Sequence, residues 1–309
     1  MTHRRAVLTM LLVTLLWSMA AVVTRQLESA RGFEMTFWRS AFMWLSLALY
    51  LVVSRGPLIV EQMVRGGRAL WVSGLMWSVM FTCFMLALTL TTAANVLITM
   101  STAPLITALL ARLTLGQHVA RRTWLAILLA GCGIAWMYAA GFNGDSRELI
   151  GTAVAMCVPL AGAINWNLSQ RAGTRIDLVP ALLIGATISA LLTLLLSWPL
   201  QASTHDIGWL AMLGVFQLTI PCILAVRVAR VLPAPEMSLL VLLESVFGIA
   251  WVWLATSERP TASVVLGGSL VLVTLAVNQW LGMREQRIAI ESRREGLGVY
   301  EPRVPVRPG

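Results

Sequence analysis

Apolar stretches long enough to cross a bilayer follow one another along almost the whole chain. Ten can be marked, at 6–24, 36–53, 69–89, 93–111, 121–140, 149–169, 178–198, 207–226, 236–256 and 261–281. About 20 residues of helix cross a hydrocarbon core of about 30 Å. Lipid offers no partner for backbone N–H and C=O groups, so each stretch has to satisfy them within itself, as a helix. The connections are short and carry Arg, Gly and Pro, which leaves no room for a soluble domain. The expected fold class is an all-α polytopic membrane protein with ten transmembrane helices. Only 12% of the 309 residues are charged and 58% are hydrophobic, against about 25% charged in soluble domains.

The net charge of +9 would suit nucleic acid, but its placement argues otherwise. All 23 basic residues are Arg, and all but Arg39, which lies within the second span, fall between the spans, at a span end or in the tail. With the N-terminus inside, eighteen Arg fall on inside segments and four, Arg25, Arg31, Arg147 and Arg259, fall outside. That asymmetry follows the positive-inside rule. It places both termini in the cytoplasm of a multi-pass protein of the cell (inner) membrane, with the bilayer rather than nucleic acid as partner. His3-Arg4-Arg5 before an apolar run resembles a signal peptide or twin-Arg signal. The run continues to Thr24, so the segment reads as a retained first span. Cys83, Cys132, Cys157 and Cys222 all fall inside spans, with no Cys-x-x-Cys, so neither a disulfide framework nor a metal site is expected.

Sliding the chain on itself by 141 residues lays span one on span six and span two on span seven. It also lays Asn95 on Glu236, Pro104 on Ser245 and Gln117 on Glu258. About one residue of slippage accumulates around span three. The chain therefore reads as a 5+5 repeat: a first five-helix unit over 1–140, a second over 149–281, and a basic, disordered cytoplasmic tail over 282–309. An odd number of spans per unit makes the second enter from the opposite side, an inverted-topology repeat typical of secondary transporters.

Several short stretches carry a resemblance. The first span holds Leu16-Trp17-Ser18-Met19-Ala20, and the second begins Phe37-Trp38-Arg39. The fourth has a mid-span Pro104 and ends at Leu115-Gly116-Gln117. The ninth holds Leu243-Glu244-Ser245, then Trp251-Val252-Trp253, then Ser257-Glu258-Arg259-Pro260. Together with the repeat, this resembles the EamA-type members of the drug/metabolite transporter (DMT) superfamily over about residues 6–281. The departures are Gln117 for Glu, Ser245 for Pro and Ser257 for Gly. The resemblance implies efflux or uptake of a small metabolite such as an amino acid or analogue, driven by an ion or solute gradient. It also implies that spans one, three, four, six, eight and nine wall the cavity.

An ionisable side chain near the middle of a span is costly and usually faces a protein interior or a water path. Glu244 is that residue in span nine. It is a candidate for coupling or substrate binding, with a neutral structural carboxyl as the alternative. At 1.5 Å per residue, Trp17, Trp77, Gln217 and Glu244 lie at comparable depths. Asn95, Thr99 and Ser101 give span four a polar side, and Asn165 and Asn167 do so in span six, with interhelical hydrogen bonding as the structural alternative. Trp17, Trp77, Asn95, Thr99, Asn165, Gln217 and Glu244 are the candidate cavity. Arg39 is read as an outer-mouth residue, with snorkelling or pairing with Glu34 as structural alternatives. Pro104, Pro159 and Pro221 are expected to kink spans four, six and eight. Trp136 could stack on a ligand or simply pack. Gly131, Gly133, Gly267 and Gly268 suggest close helix approach, within the chain or in a homodimer.

No nucleotide-binding Gly-rich loop, zinc-binding His-Glu-x-x-His or Gly-x-Ser-x-Gly is present, and no cofactor is expected. The function expected is secondary transport by alternating access, with the halves rocking about a midplane cavity. Protons or another ion are candidate coupling partners. The alternatives are an intramembrane enzyme or lipid-handling protein using Glu244 and Arg39, and a non-transporting scaffold.

Overall fold

The computed structural model describes residues 1–56, 59–115, 121–141, 146–172, 176–229 and 231–232. Beyond these it describes 240–241, 243–244, 247–248, 250–251, 254–255, 262, 265–274, 276–278, 280–282 and 284. Gln117, Glu258 and the tail from 285 lie outside the described residues.

Among the described residues every regular element is helical. In chain order they are α1 (His3–Thr24), α2 (Gly32–Arg55), α3 (Ile59–Arg65), α4 (Gly67–Leu90), α5 (Ala93–Met100) and α6 (Ala103–Leu115). Then come α7 (Arg121–Gly141), α8 (Ser146–Ala172), α9 (Val179–Leu196), α10 (Thr204–Met212), a π-helical segment (Leu213–Thr219) and α11 (Ile220–Val228). Seven helices are long and apolar enough to cross a membrane: α1, α2, α4, α8, α9, the continuous Thr204–Val228 helix and a helix over Val265–Gly282. The fourth and fifth expected spans contain shorter apolar helices, Asn95–Leu110 and Trp124–Gly133. The ninth is described only at separate helical positions that include Glu244.

The interior is mainly apolar, as in a soluble protein, but the surface is apolar as well and polar side chains are buried among the helices. Leu49, Val53, Leu128, Leu191, Leu195 and Leu266 are exposed, while Thr36, Ser40, Ser73, Ser189 and Thr193 are buried. A lipid-facing surface and an interior held by hydrogen bonds between helices account for both. Ser189 links to Ser40 at 3.0 Å and to Thr82 at 2.9 Å; Ser73 donates to Asn165 at 2.6 Å; Ser46 and Thr219 lie 2.8 Å apart. Such bonds are worth about 0.6–2 kcal/mol each in membranes.

Two prolines act differently from a simple kink. Span four divides at Ser101–Thr102, and Pro104 sits in the first turn of α6, where its missing N–H leaves no gap. The hydroxyls of Ser101 and Thr102 turn back onto the Leu97, Ile98 and Thr99 carbonyls. In span eight, Pro221 has no N–H to offer the Gln217 carbonyl, and the turn before it widens into the π-helical segment. The Thr219 hydroxyl donates to the Gly214 carbonyl at 2.8 Å, five residues back. By contrast, α8 runs through Pro159 without ending.

The two sequence halves are interleaved. α4 packs on α8 and α9, α2 on α9, and α6 on α8, so the extensive contacts join one half to the other. Small residues make this possible. A Cβ on Gly74 would meet Ile184 at 2.6 Å, and one on Gly185 would meet Trp77 at 2.7 Å. Shifted by about one repeat, a Cβ on Gly214 would meet Phe42 at 2.7 Å and the Met43 nitrogen at 3.0 Å. Among the glycines read as approach points, Gly133 packs on Gly267 and Val271, and Gly268 on Ile98, while Gly131 touches nothing. These contacts lie within the chain.

Contacts between connections sort the ends of the helices. At one end, backbone N–H groups of Glu28, Ser29 and Ala30 donate to Asp206, and Arg25 reaches the Leu88 carbonyl. At the other, Arg55 pairs with Asp177, and Arg227 donates to the Tyr50 hydroxyl. α1, α4 and α9 therefore run toward the first end, and α2, α8 and Thr204–Val228 run away from it.

Candidate functional site

A cavity of about 100 Å³ opens between α1, α2, α4, the α5–α6 break, α8, the π-helical segment, α11 and the helical positions around Glu244. One water needs about 10–15 Å³ on the same measure, so a small solute has room. The lining follows helical spacing. Trp77, Met80, Phe81 and Phe84 occupy one face of α4; Val158, Gly162 and Trp166 one face of α8; Leu218 and Cys222 a third face. Trp77 and Phe81 stack with ring centroids 5.5 Å apart. The wall is mainly apolar with a few polar groups, the usual make-up of a small-molecule site.

Those polar groups form a relay across four helices. Gln217 donates to the Trp17 carbonyl at 3.2 Å and accepts from Arg39 Nη1 at 3.5 Å. Arg39 Nη2 donates to the Phe81 carbonyl at 3.0 Å, and its guanidinium lies 5.7 Å from the centre of the Phe84 ring. The π-helical segment is what turns Gln217 into this position, as such widened turns often do at functional sites.

Of the residues singled out from sequence, Trp17, Trp77, Gln217 and Glu244 line one cavity. Arg39, expected at the outer mouth, lines the same cavity and is 1% exposed. It has no ion pair with Glu34, whose Oε1 instead accepts the Gln201 and Ala202 N–H groups at 2.8 Å each. Three candidates lie elsewhere. Asn95 accepts nothing on Oδ1 and spends its side-chain donor on Thr91, within the helix start it helps to order. Thr99 is buried but does not line the cavity, and Asn165 faces Ser73. Trp136 is 59% exposed and so faces outward.

Met80, Phe81, Phe84, Met100, Gly162, Trp166 and Cys222 also line the cavity without a sequence signal that marks them, and Ser101 comes from the polar side expected of span four. The 141-residue offset reaches none of these from the four recognised residues, although it relates lining positions to one another. It pairs Trp17 with Val158, Trp77 with Leu218, Phe81 with Cys222, Met100 with Val241, and Ala103 with Glu244. Both members of all these pairs line the cavity. These five pairs obey the repeat in position but not in chemistry, since Glu244 stands opposite Ala103; Arg39 corresponds to Pro180, which does not line the cavity.

Comparison with known proteins gives three findings. The model of the EamA-like transporter family matches residues 4–139 and again 149–279. The chain is 25% identical over 258 residues to the pseudopaline exporter CntI of two Pseudomonas aeruginosa strains, covering 82% of this chain and 88% of those proteins. It also matches a chain of solved crystal structure with a TM-score of 0.66, over 92% of this chain and 99% of that one. At 18% identity, that likeness is one of fold.

Proposed function

The chain belongs to the EamA-like transporter family, and on that premise we propose that it is a secondary transporter exporting a small organic metabolite such as an amino acid or analogue. The observation that carries the proposal is a cavity walled by residues of both repeats, five repeat-related pairs among them. We read the chain as ten transmembrane helices in a 5+5 inverted repeat. The opposite senses of α1 and α8, of α2 and α9, and of α4 and Thr204–Val228 support this. The outward direction is supported by the exporter relatives. The Arg distribution supports a cell-membrane location with the Arg55–Asp177 end and both termini in the cytoplasm.

Rocking of one sequence half on the other would break the extensive α4 contacts with α8 and α9. Alternating access is better served by moving bodies that each contain helices of both halves. Glu244 is the proposed coupling or binding carboxylate. It is 8% exposed and among the described residues has neither a hydrogen bond nor an ion pair. A catalytic reading is less well supported, because among the described lining residues Glu244 has neither a second acid nor a His beside it.

The test is flux through the purified protein in liposomes, over a panel of amino acids and related metabolites, with and without a proton gradient. At least one compound should move faster than through protein-free liposomes, with a rate set by the gradient. No flux across the panel would contradict the proposal.

A further inference from the structure

We infer that Arg39 is the anion-recognising residue of this cavity, taking a carboxylate of the transported solute. The inference rests on the transport reading above. Arg39 lies in α2 with its side chain inside the protein, and among the described residues no carboxylate pairs with it. Glu34, its acidic neighbour in sequence, is engaged by the Gln201 and Ala202 backbone. A guanidinium carries five N–H donors. Here two groups are engaged, Nη1 by Gln217 at a long 3.5 Å and Nη2 by the Phe81 carbonyl. Nε is buried and has no partner at all.

A buried cation without a counter-charge is expensive, and so is a buried donor without an acceptor. Both deficits are met at once by a planar carboxylate, whose two oxygens match the guanidinium fork. The surroundings hold the fork ready. Gln217 and Phe81 fix its plane, and Phe84 lies beneath it. The repeat-related position is Pro180, so this pole exists on one side of the cavity only.

The experiment compares acids with their amides. Calorimetry on the full-length protein in lipid nanodiscs would use phenylalanine, leucine and histidine, each against its carboxamide. The amide keeps the side chain and amine but lacks the carboxylate. Wild type should bind at least one acid roughly tenfold or more tighter than its amide, the value of one charge-assisted hydrogen bond in a buried site. Arg39→Gln should weaken that acid and leave the amide unchanged, bringing the two within about threefold. A structural loss would weaken both alike. Equal binding of acids and amides by wild type would overturn the role of Arg39 and leave the transport reading standing. Binding of none of the six compounds would count against both. The wild-type comparison needs no variant, so poor folding of Arg39→Gln cannot protect the inference.

Discussion

Replacing Asp206 by Ala is expected to cost about 3 kcal/mol of stability, at roughly 1 kcal/mol for each of three backbone hydrogen bonds to its carboxylate. The Asp206 carboxylate is 0% exposed. It accepts the backbone N–H groups of Glu28 at 2.9 Å and of Ser29 and Ala30 at 2.8 Å each. Alanine would leave the buried Ala30 N–H without its acceptor, at about 1–3 kcal/mol, and would remove the part-buried bonds of Glu28 and Ser29 as well. Asp206→Asn should be milder. Its one carbonyl oxygen can take the place of Oδ2 and keep Ser29 and Ala30, while its amide faces the Glu28 N–H donor to donor. Thermal unfolding of the purified proteins in detergent would rank them wild type, then Asn, then Ala. The Ala variant should melt at least roughly 5 °C below wild type. An Ala variant melting with wild type would mean that the α1–α2 connection has found other acceptors.

This network also makes the two ends of the bundle unequal. At the Asp206 end, two buried carboxylates, Asp206 and Glu34, bind the connections of the opposite half. At the other end the Arg55–Asp177 pair is partly exposed, and such pairs contribute about 0–1 kcal/mol. Opening the bundle at the Asp206 end therefore breaks more and stronger bonds than opening it at the other.

Replacing Glu244 by Gln is expected to lower flux driven by a proton gradient by roughly tenfold or more, equivalent to about 1.4 kcal/mol. The substitution keeps the shape and polarity of the side chain and removes only its ability to carry charge. Glu244 lines the cavity and is the one ionisable residue in the apolar run from Met237 to Thr256. A group that keeps an acid in that position without a partner gains nothing in stability from its charge, which is why a transport role is the economical account. Glu244→Asp should retain pH-dependent flux, although a shorter reach would reduce its rate. The variants would be compared in liposomes under imposed pH gradients, with folding checked by elution profile. Unchanged proton dependence in Glu244→Gln would make this carboxyl structural.

Sequence made the helices legible because lipid forces a simple rule on every span. Glu244, Trp17, Trp77 and Gln217 could be singled out because polarity or an aromatic ring at mid-depth is itself a signal. Sequence carries depth but not azimuth: Asn165 lies within its span yet joins Ser73. Asn95 stands in the first turn of α5 and serves that helix start, so its polarity marks a span end rather than the midplane. Arg39 was read by its nearness to a span end, which says nothing of which way it faces. The π-helical turn before Pro221 was likewise hidden, since proline marks a lost bond but not how the helix absorbs it.

Alternating access requires that this cavity be reached in turn from both sides of the membrane. A single cysteine at Gly162 tests it directly, after Cys83, Cys132, Cys157 and Cys222 are replaced by Ala. A Cβ there would meet only the end of the Met80 side chain, at 3.7 Å, so Gly162→Cys fits. Membrane-impermeant thiol reagents would be applied to oriented vesicles from each side separately. The account predicts labelling from both sides, slowed by a transported solute. Labelling from one side only, or from neither, would contradict it.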